Sequence, residues 1–156
     1  MSIVQPASDP FLKYEDNYYL KIEDNLNKLI ETVSKDSELV VLPEAELPYS
    51  QNSIRFIDFL KNTEISEKII LGVWKYDDAK LYNAIYSPRY YEAYKKIHLV
   101  PFGEYIPFIE DLRGIIDFFD LPMSSISHGR QLHENIRILN NITISSQICF
   151  DIAFTY

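Results

Sequence analysis

A carboxylate, an amine and a thiol stand at three points where strands are expected to end: Glu44, Lys96 and Cys149. Glu44 directly follows the apolar run Val40-Val41-Leu42-Pro43. A carboxylate at the exit of a buried strand lies at a sheet's carboxyl end, where open α/β sheets place their ligand sites. Burial there favours its use as a base near neutrality. Lys96 lies in the stretch Tyr94 to Tyr105, which is dense in charges, aromatics and turn residues. If Tyr90 to Ile97 is a strand, Lys95 and Lys96 face opposite sides, and one of them points inward. A buried ammonium needs a partner, which Glu44 or Glu104 could supply. Cys149 ends the run Ile142 to Ile148. A nucleophile at a strand-to-helix turn is exposed and close to backbone N–H donors. A helix start also favours the thiolate over the thiol.

Taken singly, each position has a plainer structural reading. Glu44 fits a solvated turn, Lys96 a solvated strand end, and Cys149 a buried structural cysteine. His98 reads more readily as a residue that fixes a loop than as a base. The joint arrangement is what points to chemistry: one fold could bring three strand ends together.

The elements that must position these residues follow from periodicity. Ser2 to Gln5 reads as a short strand ended by Pro6. Lys13 to Ser34 reads as a helix, with Ile22, Leu26, Leu29, Ile30 and Val33 on one apolar face. Glu38 to Leu42 is a buried strand by composition. Ser50 to Lys61 is expected to be a second helix with Ile54, Ile57 and Leu60 inward. Lys68 to Trp74 reads as another buried strand. Leu81 to Ser87 and Tyr90 to Ile97 read as adjacent strands parted by Pro88. Leu99 to Pro107 is a Pro/Gly loop, Asp111 to Phe119 a short helix, and Leu121 to Gly129 a Ser-rich loop. Ile136 to Leu139 and Ile142 to Ile148 are expected as final strands around Asn140-Asn141. Strand and helix alternate in the first half and strands dominate the second, which predicts an α/β layered sandwich with mixed pairing.

Composition narrows the function. The chain has 156 residues, 47% of them hydrophobic, enough for the core of one domain. A net charge of −8 argues against nucleic acid, whose phosphates need a basic footprint. The single cysteine cannot close an internal disulfide, and His98, His128 and His133 do not pair with cysteines at zinc-like spacing. The four glycines are scattered and form no phosphate-cradling loop. Met1 to Asp9 carries no signal-peptide pattern, and no run approaches the ~18 apolar residues of a membrane span.

The wording around the three positions resembles a known family. Val41-Leu42-Pro43-Glu44 is similar to the Pro-Glu box of the nitrilase, or carbon–nitrogen hydrolase, superfamily. The stretch YKKIHLVPFGEYIP, Tyr94 to Pro107, resembles the lysine box of one branch, the apolipoprotein N-acyltransferases of bacterial envelopes. Leu121-Pro122-Met123-Ser124-Ser125 with Gly129, and ICFDIAF from Ile148 to Phe154, resemble the segments that follow in that branch. The likeness runs from Ile3 to Phe154. It implies a nitrilase-like αββα sandwich, here incomplete. Glu44 falls on the family's general base, Lys96 rather than Lys95 on its oxyanion-stabilising lysine, and Cys149 on its nucleophile. Glu104 falls on a second active-site glutamate, and Asn83 on a structural or site-lining position.

The chemistry implied is transfer of a fatty acyl group from a phospholipid, through a Cys149 thioester, to the N-terminal amine of a diacylglyceryl-cysteine lipoprotein. It needs no metal or organic cofactor. The family also implies the bacterial inner membrane, with this domain facing the periplasm. Two departures stand out. The family's membrane helices have no counterpart here, and its domain is longer than residues 1–156. The chain is therefore expected to be the front part of a nitrilase-like domain with little activity alone, and a separately encoded remainder is an expected partner. The second departure is Phe150-Asp151 in place of the branch's Tyr-Glu, and the shorter Asp side chain puts a hydrogen bond from that position in question. The competing readings are a soluble amidase of the same superfamily and a non-catalytic remnant.

Overall fold

The structure, a computed structural model, describes residues 1–9, 11–15, 17–89, 94–105, 126–130, 136–138 and 142–154. Its main sheet joins β1 (Ser2–Ile3), β2 (Val40–Val41), β3 (Ile69–Asp77) and β4 (Lys80–Tyr86) in that order. The pairs β1–β2 and β2–β3 are parallel, and β3–β4 is antiparallel. Parallel neighbours need a crossover, and the two helices supply it. Helix α1 (Tyr18–Glu31) links β1 to β2, and α2 (Ile54–Asn62) links β2 to β3. The strands β5 (Ile136–Ile138) and β6 (Ile142–Ile144) form a separate antiparallel pair. This is an incomplete α/β sandwich, the class expected from the strand–helix alternation. Among the described residues no helix is long and apolar enough to cross a membrane.

Several boundaries differ from the sequence expectations. Helix α1 starts at Tyr18 rather than Lys13, because Asn17 before it is left-handed at φ 66° and cannot continue the helix. The strand expected from Ile142 to Ile148 ends at Ile144. The expected helix Asp111 to Phe119 lies outside the described residues, as do residues 90–93 of the strand Tyr90 to Ile97. The rest of that strand runs antiparallel to β4: Ile85 N–H donates to the Tyr94 carbonyl at 2.7 Å, and Lys96 N–H to the Asn83 carbonyl at 2.8 Å.

The inward face of α2 is corrected in part: Leu60 packs against the core as expected, but Ile54 and Ile57 face outward. Ile54 is 77% exposed and Ile57 43%, while Phe56 and Phe59 are buried. Apolar residues occur at 54, 56, 57, 59 and 60, so two faces compete. The rings prevail because they remove more apolar area from water. Phe56 meets Tyr86 of β4 edge-on, with ring centroids 5.4 Å apart. The helix N-cap fixes the same register, since Ser53 Oγ accepts the Phe56 N–H at 3.1 Å.

The sheet's two faces do different work. Side chains alternate along a strand. Ile69, Leu71 and Val73 of β3, with Ala84 of β4, join Ile22 and Leu26 of α1 and Phe56 of α2 in the core. The residues between them point the other way. Gly72 pairs with Ile85 and Trp74 with Asn83 on that second face. The candidate site is built there.

Candidate functional site

Glu44 is carried by the continuation of β2. Leu42 N–H donates to the Ile70 carbonyl at 2.8 Å, and Gly72 N–H to the Pro43 carbonyl at 3.1 Å. The chain then turns at Ala45, whose φ of 43° is left-handed. Gly72 makes this path possible. A Cβ there would stand 2.5 Å from Glu44 Cα and 2.7 Å from Ala45 N. Both are backbone atoms with nowhere to go. The expectation of a buried carboxylate is corrected: the Glu44 side chain keeps 37% of its surface exposed.

Lys96 is the buried member, with 1% of its side-chain surface exposed. Its Nζ lies 2.9 Å from both Glu104 oxygens and 3.9 Å from Glu44 Oε1. Both suggested partners are therefore present, and Glu104 is the nearer. Glu104 also accepts the Val100 N–H at 2.9 Å, which closes the loop Leu99 to Tyr105 around the ammonium. Desolvating a charge costs several kcal/mol unless partners replace its water, and these contacts replace it. The alternation expected for the two lysines holds. Lys95 turns to the helix face, where its Nζ meets Asp77 at 2.5 Å and lies over the Tyr82 ring at 4.3 Å. That ammonium holds the Asp77 carboxyl below the ordinary carboxylate range.

Asn83 joins the acids. Its Nδ2 donates to Glu44 Oε1 at 2.5 Å and to Glu104 Oε1 at 3.2 Å. Glu44, Asn83, Lys96 and Glu104 therefore form one polar cluster on the sheet face turned away from the helices.

Cys149 is exposed and opens a 3₁₀ turn, Cys149–Ala153, at a left-handed φ of 48°. The exposure expected from sequence is found, and a buried structural cysteine is not. The strand-exit position is corrected, because β6 ends at Ile144 and Cys149 follows four residues outside any strand. Among the described residues no hydrogen bond joins Cys149 to Glu44 or Lys96. The link between them is indirect and runs through Asp151, which is 2% exposed. Asp151 Oδ1 accepts the His98 N–H at 2.7 Å, and Oδ2 accepts the Tyr94 hydroxyl at 2.7 Å and the Ile148 N–H at 3.3 Å. The cysteine turn is thereby fastened to the residues that flank Lys96 on either side. The question raised by the shorter Asp side chain is answered: it reaches. The His98 ring stacks on Phe154 at 3.9 Å, so His98 fixes the loop, as its sequence context suggested.

Sequence reasoning missed Gly72 altogether and quoted Gly129 only as part of a motif. Gly129 N–H donates to the Lys96 carbonyl at 2.8 Å, and a Cβ there would meet the Lys95 carbonyl oxygen at 2.3 Å. The signal that could have found Gly72 is an isolated glycine inside a strand, which marks close backbone approach. Gly72→Ala is expected to lower stability by about 1–3 kcal/mol through overpacking. By displacing Glu44, it should also slow any Glu44-dependent reaction of Cys149 by about 100-fold. Gly103→Ala is the control, since the atoms nearest its Cβ would belong to Val100, at 3.4 Å or more. Thermal melts and Cys149 acylation rates of both variants check this.

An α/β sandwich with a buried lysine between two carboxylates, and a cysteine at a tight turn tied to the lysine's loop, is the class of protein that fold and site define. No protein-family model matches the chain. Curated relatives do. It is 32% identical to an apolipoprotein N-acyltransferase of Haemophilus influenzae, over 99% of this chain and 32% of that relative. It is 35% identical to one of Vibrio parahaemolyticus (76% of this chain, 26% of the relative) and 31% identical to one of Pasteurella multocida (97% and 32%). Over this span the chain is a sequence relative of the apolipoprotein N-acyltransferases. It spans about a third or less of the length of these relatives (32%, 26% and 32%).

Proposed function

We propose that the chain carries a cysteine acyl-transfer site that takes a fatty acyl group from a phospholipid and passes it to the N-terminal amine of a diacylglyceryl-cysteine lipoprotein. The buried ammonium of Lys96 carries this reading. A charge held in a dry site by Glu104, with Glu44 near by, is what a developing oxyanion needs. Glu44 takes the proton of the Cys149 thiol, and the thiolate attacks an ester carbonyl. Lys96 stabilises the oxyanion. The C–O bond breaks, the lysophospholipid leaves with the proton returned by Glu44, and Cys149 holds a thioester. The amine then attacks that thioester and yields a proton to Glu44. An amide forms and the thiol is restored by the same proton.

The cysteine sits exposed, and among the described residues its turn is tied through Asp151 to Tyr94 and His98 rather than to Lys96 itself, so the first half-reaction should be slow in this 156-residue chain and turnover slight. The test is intact mass spectrometry after incubation with phospholipid in detergent micelles. The expected result is one acyl adduct mapped to Cys149. An adduct elsewhere, or none under conditions where Cys149 is free, overturns the proposal. An adduct formed from small amides but not from phospholipid would favour the soluble amidase instead.

A further inference from the structure

Asn83 has no task in that reaction scheme, yet it touches every other member of the polar cluster. Its backbone carbonyl accepts the Lys96 N–H at 2.8 Å. Its amide donates to both acids, at 2.5 Å to Glu44 and 3.2 Å to Glu104. It is 1% exposed. Two carboxylate acceptors on one side fix which way the amide is turned, because only Nδ2 carries hydrogens. That orientation leaves Asn83 Oδ1 buried with no hydrogen-bond partner among the described residues, a rare and unfavourable condition. The chain tolerates it in order to keep both amide hydrogens on the acids.

We propose that Asn83 is a positioning residue that divides the two carboxylates between two tasks. This rests on the acyl-transfer reading of the site. Two acids beside one buried ammonium would otherwise converge on it, and the base would be consumed as a counter-ion. The neutral donor between them occupies Oε1 of Glu44, the oxygen nearest Lys96 at 3.9 Å. Lys96 then stays with Glu104 at 2.9 Å. The second oxygen of Glu44 keeps its lone pairs for the thiol proton. A charged residue at position 83 could not do this. An aspartate would add a third negative group around the same ammonium, and a lysine would bind the base outright.

Two measurements on the 156-residue chain test the proposal. The first needs no change at Asn83. Glu44→Gln and Glu104→Gln should each move the Asn83 side-chain amide proton resonances in ¹⁵N-edited NMR spectra. Resonances that stay in place for both variants overturn the proposal. The second compares Cys149 acylation by phospholipid micelles in wild type, Asn83→Leu and Asn83→Asp. Both variants should lose about 100-fold in the saturating rate while the half-saturating lipid concentration stays within about twofold. A wild-type rate in Asn83→Leu, or a change in half-saturation alone, overturns it. If wild type itself forms no adduct, the acyl-transfer reading has failed and the positioning role falls with it. Loss in the variants alone cannot be mistaken for that outcome.

Discussion

Replacing Lys96 by Met is expected to cost stability and reactivity together, whereas the same change at Lys95 costs little of either. Lys96 is 1% exposed and Glu104, its nearer partner, 13%. Removing the ammonium leaves a mostly buried carboxylate without its counter-charge, a change that typically costs 3–5 kcal/mol. Glu104 retains the Val100 N–H and the Asn83 amide, which places the expected loss near the low end, about 3 kcal/mol. For a chain of this size that lowers the melting temperature by roughly 6–12 °C. Under the proposed mechanism, loss of this charge should slow acylation of Cys149 by about 100- to 1,000-fold. Lys95, one residue away, lies on the other face of the sheet with Asp77 and Tyr82. Its replacement should leave the acylation rate unchanged. Thermal melts and adduct kinetics on the two variants separate the pair, and equal effects would contradict the assignment.

The second large effect has opposite signs in stability and function. Cys149 holds φ at 48°, a conformation that costs a side-chain-bearing residue about 1–2 kcal/mol. Its side chain is exposed, so removing it forfeits little packing. Cys149→Gly should therefore gain up to about 1 kcal/mol, after allowance for the greater freedom of glycine in the unfolded chain. The same substitution removes the proposed nucleophile and should abolish the acyl adduct. Cys149→Ala keeps the strained turn and loses the sulfur, so it should match wild type in stability and Cys149→Gly in reactivity. A Cys149→Gly variant that melts several degrees below wild type would show that the turn is not strained.

How much of this was legible in the sequence depended on how local each cause is. Period-2 alternation put Lys95 and Lys96 on opposite faces, and their environments follow. The helix face of α1 was legible because Ile22, Leu26 and Ile30 recur at one spacing. That of α2 was legible only at Leu60, because apolar residues crowd both sides and ring size decided between them. The hairpin between β3 and β4 turns at Asp78 and Ala79, both at positive φ (48° and 59°). Asp-Ala lacks the glycine that usually marks such a turn, so nothing local announced it. The links around Lys96 were beyond local reading as well. Gly72 is placed by the backbone of Glu44, Asn83 by two acids, and Asp151 by His98, 53 residues away. No periodicity reports a contact between segments that meet only in the folded chain. The family wording around Tyr94 to Pro107 pointed to the lysine that is buried, but it did not reveal that Glu104 holds it more closely than Glu44.

The most direct test of the claim that Glu44, Lys96 and Cys149 act as one site is the rate of acyl-adduct formation on Cys149 from phospholipid micelles, followed by intact mass. Wild type should acylate at Cys149 faster than a model thiol under the same conditions, and Glu44→Gln and Lys96→Met should each remove that advantage. Equal rates in wild type, both variants and the model thiol would contradict the claim.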